Sequence, residues 1–439
     1  MSEYRGNAMS FTASISQEQL VSFRRELHKH AESGFSEFWT TAYLARILSE
    51  AGLKVTTGDA IVDRSKRMGL PDEATQKGRL EAALAQGADP EWIRRMNGIT
   101  GLVVDLRPDL PMHTVLRFDI DAVDVDESTD DGHLPSREGF RSLNDGECHA
   151  CAHDGHAAIG LGTALELLRW KDRLKHNIRL VFEPAEEGVR GAVPMVSAGV
   201  VDGARYFFSA HIGVNARKDH ELVCGTQGFL ASTKFDVEFF GRSSHAGADP
   251  HEGRNSLLAA ASATLNMHAI PRHGRGNTRI TVGRMESGTG RNVIPSYARL
   301  ICETRGETTE LNDYMFEKAK LIIEHSAAMY EQDHRITIVG QAGCAVSDRL
   351  LIDVVKKVSE DIPYFHRDLV TEMGQGFGTD DACAFLQAVQ QQGGCGTYAQ
   401  IGSYLPQGHH NQKFDFNEEL LQPAVELFCR TALTLDGMD

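Results

Sequence analysis

The segment Cys148-His149-Ala150-Cys151-Ala152-His153-Asp154-Gly155-His156 sets two thiols, three imidazoles and a carboxylate in nine residues. It stands directly ahead of an apolar run at helical period: Ile159, Leu161, Ala164, Leu165, Leu167 and Leu168. Thiolate and neutral imidazole bind zinc and related divalent ions tightly, and a Cys-x-His spacing lets two alternate side chains of an extended segment face one point. The pattern reads as a metal site at the start of a helix. Cys148 and Cys151 also form a Cys-x-x-Cys pair, but no second pair stands at zinc-ribbon distance. The competing reading is a loop whose histidines cap a helix and whose cysteines are buried small apolar residues.

Upstream, residues 101–106 and 114–120 read as strands, the second running into Asp119, Asp121 and Asp124. Downstream, 177–182 reads as a strand that leads straight into Glu183-Pro184-Ala185-Glu186-Glu187-Gly188, and 206–210 as a strand ending at His211. This succession predicts an α/β fold with a mostly parallel central sheet flanked by helices, in which chemistry collects at the carboxyl ends of strands. Adjacent carboxylates at a strand end point in different directions. Of Glu186 and Glu187, one can therefore bind a cation while its neighbour handles protons, a plain surface turn being the alternative. Cys151 with His153, Glu186 with Glu187, and then His211 are expected at three successive strand ends.

Closer to the start, amphipathic helices are expected over 15–30 and 40–51, the second ended by Gly52. Between them, His28-Lys29-His30-Ala31-Glu32-Ser33-Gly34 reads as a solvated helix end. Residues 58–98 are highly charged, with Gly69-Leu70-Pro71 as punctuation and a helical stretch near 74–96, and read as a surface insertion.

The texture changes near Phe229. Strand, helix, two strands, helix and strand follow in turn, the split βαβ arrangement. The organisation expected is residues 1–229 as the first part of a main domain, 230–341 as an inserted α+β domain, and 342–439 returning to the main domain. The last part carries His409-His410-Asn411 in a loop after a strand at 396–401.

At 439 residues, two domains are the natural expectation. A net charge of -16 argues against nucleic-acid or anionic-membrane partners, which leaves a small molecule or another protein. The first twenty residues lack the apolar stretch of a signal peptide, and no transmembrane helix is expected. Eight scattered cysteines favour reduced thiols and a cytoplasmic location.

Several motifs occur in one order: His-Ala-Cys-Ala-His-Asp-Gly-His (149–156), Glu-Pro-Ala-Glu-Glu-Gly (183–188), Ala-His-Ile-Gly (210–213), Ser-His-Ala-Gly (244–247), Gly-Arg-Asn-Val-Ile-Pro (290–295) and His-His-Asn-Gln-Lys-Phe-Asp-Phe (409–416). In that order they resemble the M20 metallopeptidases over nearly the whole chain, above all the amidohydrolase branch. Ala31-Glu32-Ser33-Gly34 and Arg67-Met68-Gly69-Leu70-Pro71-Asp72-Glu73 are similar to the A-type chain of p-aminobenzoyl-glutamate hydrolase within that branch.

The resemblance implies a zinc-peptidase-like catalytic domain with a ferredoxin-like lid and dimerisation domain. It implies two divalent ions, Mn2+ or Zn2+ with Co2+ as a further choice, on Cys151, His153, Glu187, His211 and His410, with Cys151 in the bridging place. Glu186 takes the place of the general base and acid. His245 takes that of an oxyanion donor reaching across a dimer, Asn292 and Arg305 match residues that hold the substrate's amide oxygen or carboxylate, and Arg291 is a further candidate donor to the substrate's carboxylates. The implied substrate is an N-acyl amino acid, p-aminobenzoyl-glutamate foremost and an indole-3-acetyl-aspartate conjugate as the alternative. The implied assembly is a homodimer, or a heteromer in which a related second chain takes part. From another class comes a rival reading, an inactive metal-binding partner within a hydrolase complex. Two departures stand out: Ala152 replaces the usual glycine between the Cys and His ligands, and Thr379-Asp380-Asp381 replaces Ser-Glu-Asp.

Overall fold

The computed structural model describes residues 13–376 and 378–438. Its strands, numbered in chain order, are β1 Lys54–Thr56, β2 Leu102–Asp105, β3 Met112–Asp119, β4 Asn177–Glu183, β5 Tyr206–Ile212, β6 Leu222–Val223, β7 Thr226–Gln227, β8 Ala231–Phe240, β9 Thr278–Ser287, β10 Tyr297–Gly306, β11 Asp333–Ala342, β12 Val370–Thr371, β13 Gly374–Gln375 and β14 Cys395–Ile401. Among the described residues the larger sheet has the order β1-β2-β4-β3-β5-β14-β6-β12. Its centre is parallel, β3 pairing with β4 and β5, and β5 with β14, while β2 and β6 run antiparallel to their inner neighbours. β5 is buried along its whole length, as its nearly unbroken apolar run requires of a strand covered on both faces.

The helix His153–Leu168 is buried over most of its surface, lying between the sheet and the helices Gln17–Lys29 and Leu421–Asp436. Gly160 permits that approach, since a methyl group there would sit 2.8 Å from ring atoms of Phe118 and Phe182. The helix Gln17–Lys29 begins with a reciprocal cap between Ser16 and Gln19. Its far end departs from expectation. His28 is 1% exposed, not solvated, because its ring lies between Asp154 and Glu127, 2.8 Å from a carboxylate oxygen of each. The charged segment 58–98 also does more than lie on the surface. Ala83, Trp92 and Met96 are buried in the main core, the last two a helical turn apart on one face.

A second sheet, β11-β8-β10-β9, is antiparallel throughout and carries the helices Ser256–His268 and Thr309–Met329 over a core of its own. This is the ferredoxin-like order. Along β8, Thr233, Phe235, Val237 and Phe239 are buried, whereas Lys234, Asp236 and Glu238 occupy the opposite face. Gln341 N donates to Val189 O at 3.0 Å, which sets this sheet against the loop after β4.

Candidate active site

Cys151 and His153 do not lie on an extended segment, nor at a strand end, as their spacing suggests. Ala152 between them takes the left-handed conformation, φ 68°, and the helix starts at His153. The left-handed turn aims both side chains at one place, at a cost of about 1–2 kcal/mol for a residue with a Cβ. Ala185, Val189 and His410 are also left-handed in the loops around this point. Strain of this kind collects where a site dictates the backbone.

His153 Nδ1 lies 2.9 Å from Asp121 O, and His211 Nδ1 lies 2.9 Å from Ile212 O. A carbonyl only accepts, so both rings donate through Nδ1 and turn Nε2 toward the cluster, where a bound cation would stand in place of a proton. His211 Nε2 stands 3.6 Å from Cys151 Sγ. Glu187, whose N–H donates to Asp121 Oδ2 at 2.9 Å, brings Oε1 to 3.0 Å from His410 Nε2. His410 is itself fixed by its N–H to Ala150 O at 2.8 Å. The structure thus gathers two triads, Cys151-His153-His211 and Cys151-Glu187-His410, each with its donor atoms within 4.8 Å of one another. Cys151 belongs to both.

His153 Nε2 and Glu187 Oε1 are buried without a hydrogen-bond partner, the approach of His410 to Glu187 being out of line for one. Burial, reinforced by Glu187 and Glu186, holds the Cys151 thiol well above its ordinary range. Burial with Asp380, Glu187 and Asp381 nearby does the same to Glu186. Burial opposes a charged His153, yet Asp119 and Asp121 push it up to about 10. The hole is short of positive charge. One sulfur, three imidazole nitrogens and a carboxylate around unpartnered atoms fit a pair of divalent cations of the borderline type.

Behind this cluster lies a set of residues that sequence reasoning left unassigned. Arg117, fully buried on β3, pairs with Asp119 at 2.7 Å and with Glu183, and reaches Asp381 at 3.4 Å and Asp380 at 3.5 Å. Tyr398 donates to Asp380, and Asp381 accepts from the N–H groups of Gly191 and Ala192. One guanidinium thus faces four carboxylates, with Glu186 beside Asp380 and Asp381. Both acids of the variant triplet, at 380 and 381, are built into the site. The signal for this network was an arginine inside an otherwise apolar strand.

Residues 115–434 match the model of peptidase family M20/M25/M40. The chain belongs to this M20 family. It is 43% identical to the indole-3-acetyl-aspartic acid hydrolase of Enterobacter agglomerans, over 94% of this chain and 95% of that one. It is 42% identical to the A-type chain of the p-aminobenzoyl-glutamate hydrolase of Escherichia coli (strain K12), over the same shares. The crystal structure of an aminobenzoyl-glutamate utilization protein from Klebsiella pneumoniae superposes with a TM-score of 0.81 at 37% identity, covering 95% of both chains.

In this M20 hydrolase the cluster opens into a cleft of about 280 Å³ whose lining includes Glu186, Glu187, Asp380, Lys234 and Arg305. Arg305 thus reaches the cleft, with Nε and Nη2 on Glu303 at 2.9 and 3.0 Å. His245, Asn292 and Arg291 do not line it. They sit together on exposed loops of the second sheet, His245 Nδ1 accepting from Gly247 N and Ala248 N, and Ala246 N donating to Asn292 O. Lys234 and His409 line the cleft and were missed. His409 packs its ring 5.4 Å from that of His211, with both nitrogens unpartnered. Cys148 is buried outside the cleft.

Proposed function

We propose that this M20 hydrolase cleaves the amide bond of an N-acyl amino acid with an aromatic acyl group. The first substrate is p-aminobenzoyl-glutamate and the second an indole-3-acetyl-aspartate conjugate. One observation carries the reading: the Glu186 carboxyl leans into a cleft beside two donor triads that share Cys151. The names of the two relatives at 42–43% identity support the substrate class.

Cys151, His153, Glu187, His211 and His410 would hold two divalent ions, Mn2+, Zn2+ or Co2+. Such a pair, when bound, polarises an amide carbonyl and makes water a better acid. Glu186 accepts the proton of the attacking water and delivers it to the nitrogen of the leaving amino acid. His245, Asn292 and Arg291 lie away from the cleft of their own chain, which supports a role for them in the cleft of a second copy within a dimer or heteromer. Residues 230–341 act in this reading as an inserted lid and dimerisation domain. Eight free cysteines support a reducing, cytoplasmic setting.

The test is release of p-aminobenzoate and glutamate, or of indole-acetate and aspartate, by the purified protein after loading with each metal. Turnover of either conjugate that chelation abolishes supports the reading. Failure on both, with metal bound, overturns it.

A further inference from the structure

The open face of β8 carries three charged side chains in alternate positions, and two of them are neutralised. Asp236 pairs with Arg299, and Glu238 with Arg335 at 2.6 Å. Lys234 has no such partner among the described residues. The carboxylate across the strand pair from it is Glu303, in direct register. Glu303 is occupied, accepting from Arg305 through both oxygens and from Ser232 Oγ at 3.1 Å. Lys234 is therefore a half-buried ammonium without a counterion, on the wall of the cleft. Arg305 stands opposite Ser232 and so shares this face as the diagonal neighbour of Lys234, with stems roughly 7–8 Å apart. Having given two nitrogens to Glu303, it turns Nη1 toward Gly378 on the cleft wall. The cleft is also lined by the carboxylates Glu186, Glu187 and Asp380, of which Glu187 faces His410 at 3.0 Å.

Lys234 keeps an uncompensated charge and Arg305, though paired with Glu303, keeps Nη1 free to donate, so side by side they offer two sites to a ligand with two carboxylates. An amino acid with a neutral side chain offers one carboxylate and leaves an ammonium half desolvated without a partner, which is unfavourable. A dicarboxylic amino acid satisfies both. We infer that Lys234 is a specificity-determining residue that binds the side-chain carboxylate of an acidic amino-acid moiety while Arg305 takes the α-carboxylate. The inference rests on the reading of the cleft as an N-acyl amino acid hydrolase site, and it adds a residue that selects the amino acid.

N-benzoyl-L-glutamate and N-benzoyl-L-glutamine differ at the contested group by one charge at nearly equal size. Their binding is measured by calorimetry on the metal-loaded protein in a Glu186→Gln background, which slows turnover, and their kcat/KM values are measured with Glu186 in place. A charge-assisted contact predicts tighter binding of the glutamate conjugate by about 10- to 100-fold. Lys234→Met and Lys234→Gln are each expected to collapse that ratio, and Lys234→Arg to keep most of it. No preference in the parent protein, or a preference that survives both neutral substitutions, overturns the inference while leaving the hydrolase reading intact. Preferential binding of the glutamate conjugate that depends on Lys234, with no cleavage of either compound when Glu186 is present, supports the role of Lys234 in binding and counts against the hydrolase reading alone. Absence of binding by both compounds overturns the inference.

Discussion

Glu187 Oε1 and His410 Nε2 stand 3.0 Å apart, joining the loop after β4 to the loop after β14 at the edge of the cysteine cluster. The His410 N–H bond to Ala150 O draws the Cys151 loop to the same point. Cations held by these side chains bind the folded chain and not the unfolded one, so they stabilise the fold by about 2.7 kcal/mol at a hundredfold excess over Kd. Chelation should lower Tm, and Zn2+ or Mn2+ should restore it at about two ions per chain. In Cys151→Ala, which removes the donor common to both triads, metal content and the Tm response should both fall. A Tm indifferent to complete removal of metal would contradict this placement.

Glu186 differs from Glu187 in what it touches. Glu187 faces His410, whereas Glu186 has Asp380 and Asp381 beside it and, among the described residues, no basic side chain closer than His153 at 3.9 Å. Glu186→Gln keeps size and shape but removes the proton acceptor. We expect kcat to drop by about 10²–10⁴-fold, with metal content and KM nearly unchanged. Steady-state kinetics alongside elemental analysis decides it, and turnover at the parent rate would exclude Glu186 as the base.

His28 gives a pH dependence of stability. Burial opposes its charge, but the hydrogen bonds and charges of Asp154 and Glu127 raise it to about 9 from an ordinary 6.5. A histidine whose folded pKa is raised contributes stability that is fully present below 6.5 and is lost as pH climbs through 9. Glu32, raised to about 8 chiefly by burial, loses its contribution in the same direction, so the wild-type curve alone is composite. The difference between wild type and His28→Gln isolates the histidine. It should be large in urea unfolding at pH 6 and shrink by pH 9.5, where the ring is neutral in the unfolded state and mostly neutral in the folded one. At the lower pH the variant loses two charge-assisted contacts, while Asp154 keeps Arg24 at 2.7 Å and Glu127 keeps His133 at 2.8 Å, a loss of about 1.5–3 kcal/mol. A difference that stays constant over this interval would rule out a charged His28.

The elements that declare themselves in the sequence are those whose physics is local. Buried parallel strands show as apolar runs, the split βαβ sheet shows as alternation along β8, and ligand chemistry shows as Cys, His and Glu at loop positions. What stays hidden depends on distant partners. His28 looks solvated beside Lys29 and His30, and only the arrival of Asp154 and Glu127 makes it a core residue. Lys234 is one lysine in an alternating strand until Glu303 turns out to be taken by Arg305. The Cys-x-His spacing marks the cluster for a reason other than an extended segment, because a left-handed Ala152 is not visible as a pattern. Arg117 carries a signal, a charge inside an apolar strand, but its four carboxylates come from β3, β4 and the turn before the helix Ala382–Gln391.

His245 lies on an exposed loop whose backbone bridges to Val293, and its ring is turned toward Gly247 and Ala248, not toward the cleft of its own chain. If it serves as the oxyanion donor of a second copy, His245→Ala should lower kcat by about 10²–10³-fold, the effect of removing one such donor. That loss alone does not say whose cleft the ring enters. Mixing does. Glu186→Gln chains supply a sound His245 and His245→Ala chains a sound Glu186, so a mixed dimer contains one complete site and one lacking both groups. Random exchange of equal amounts makes half of the dimers mixed, and the mixture should recover about a quarter of wild-type activity from two nearly inactive preparations. If His245 acted within its own chain, no mixed dimer would hold a complete site, and the mixture would stay as inactive as its parts.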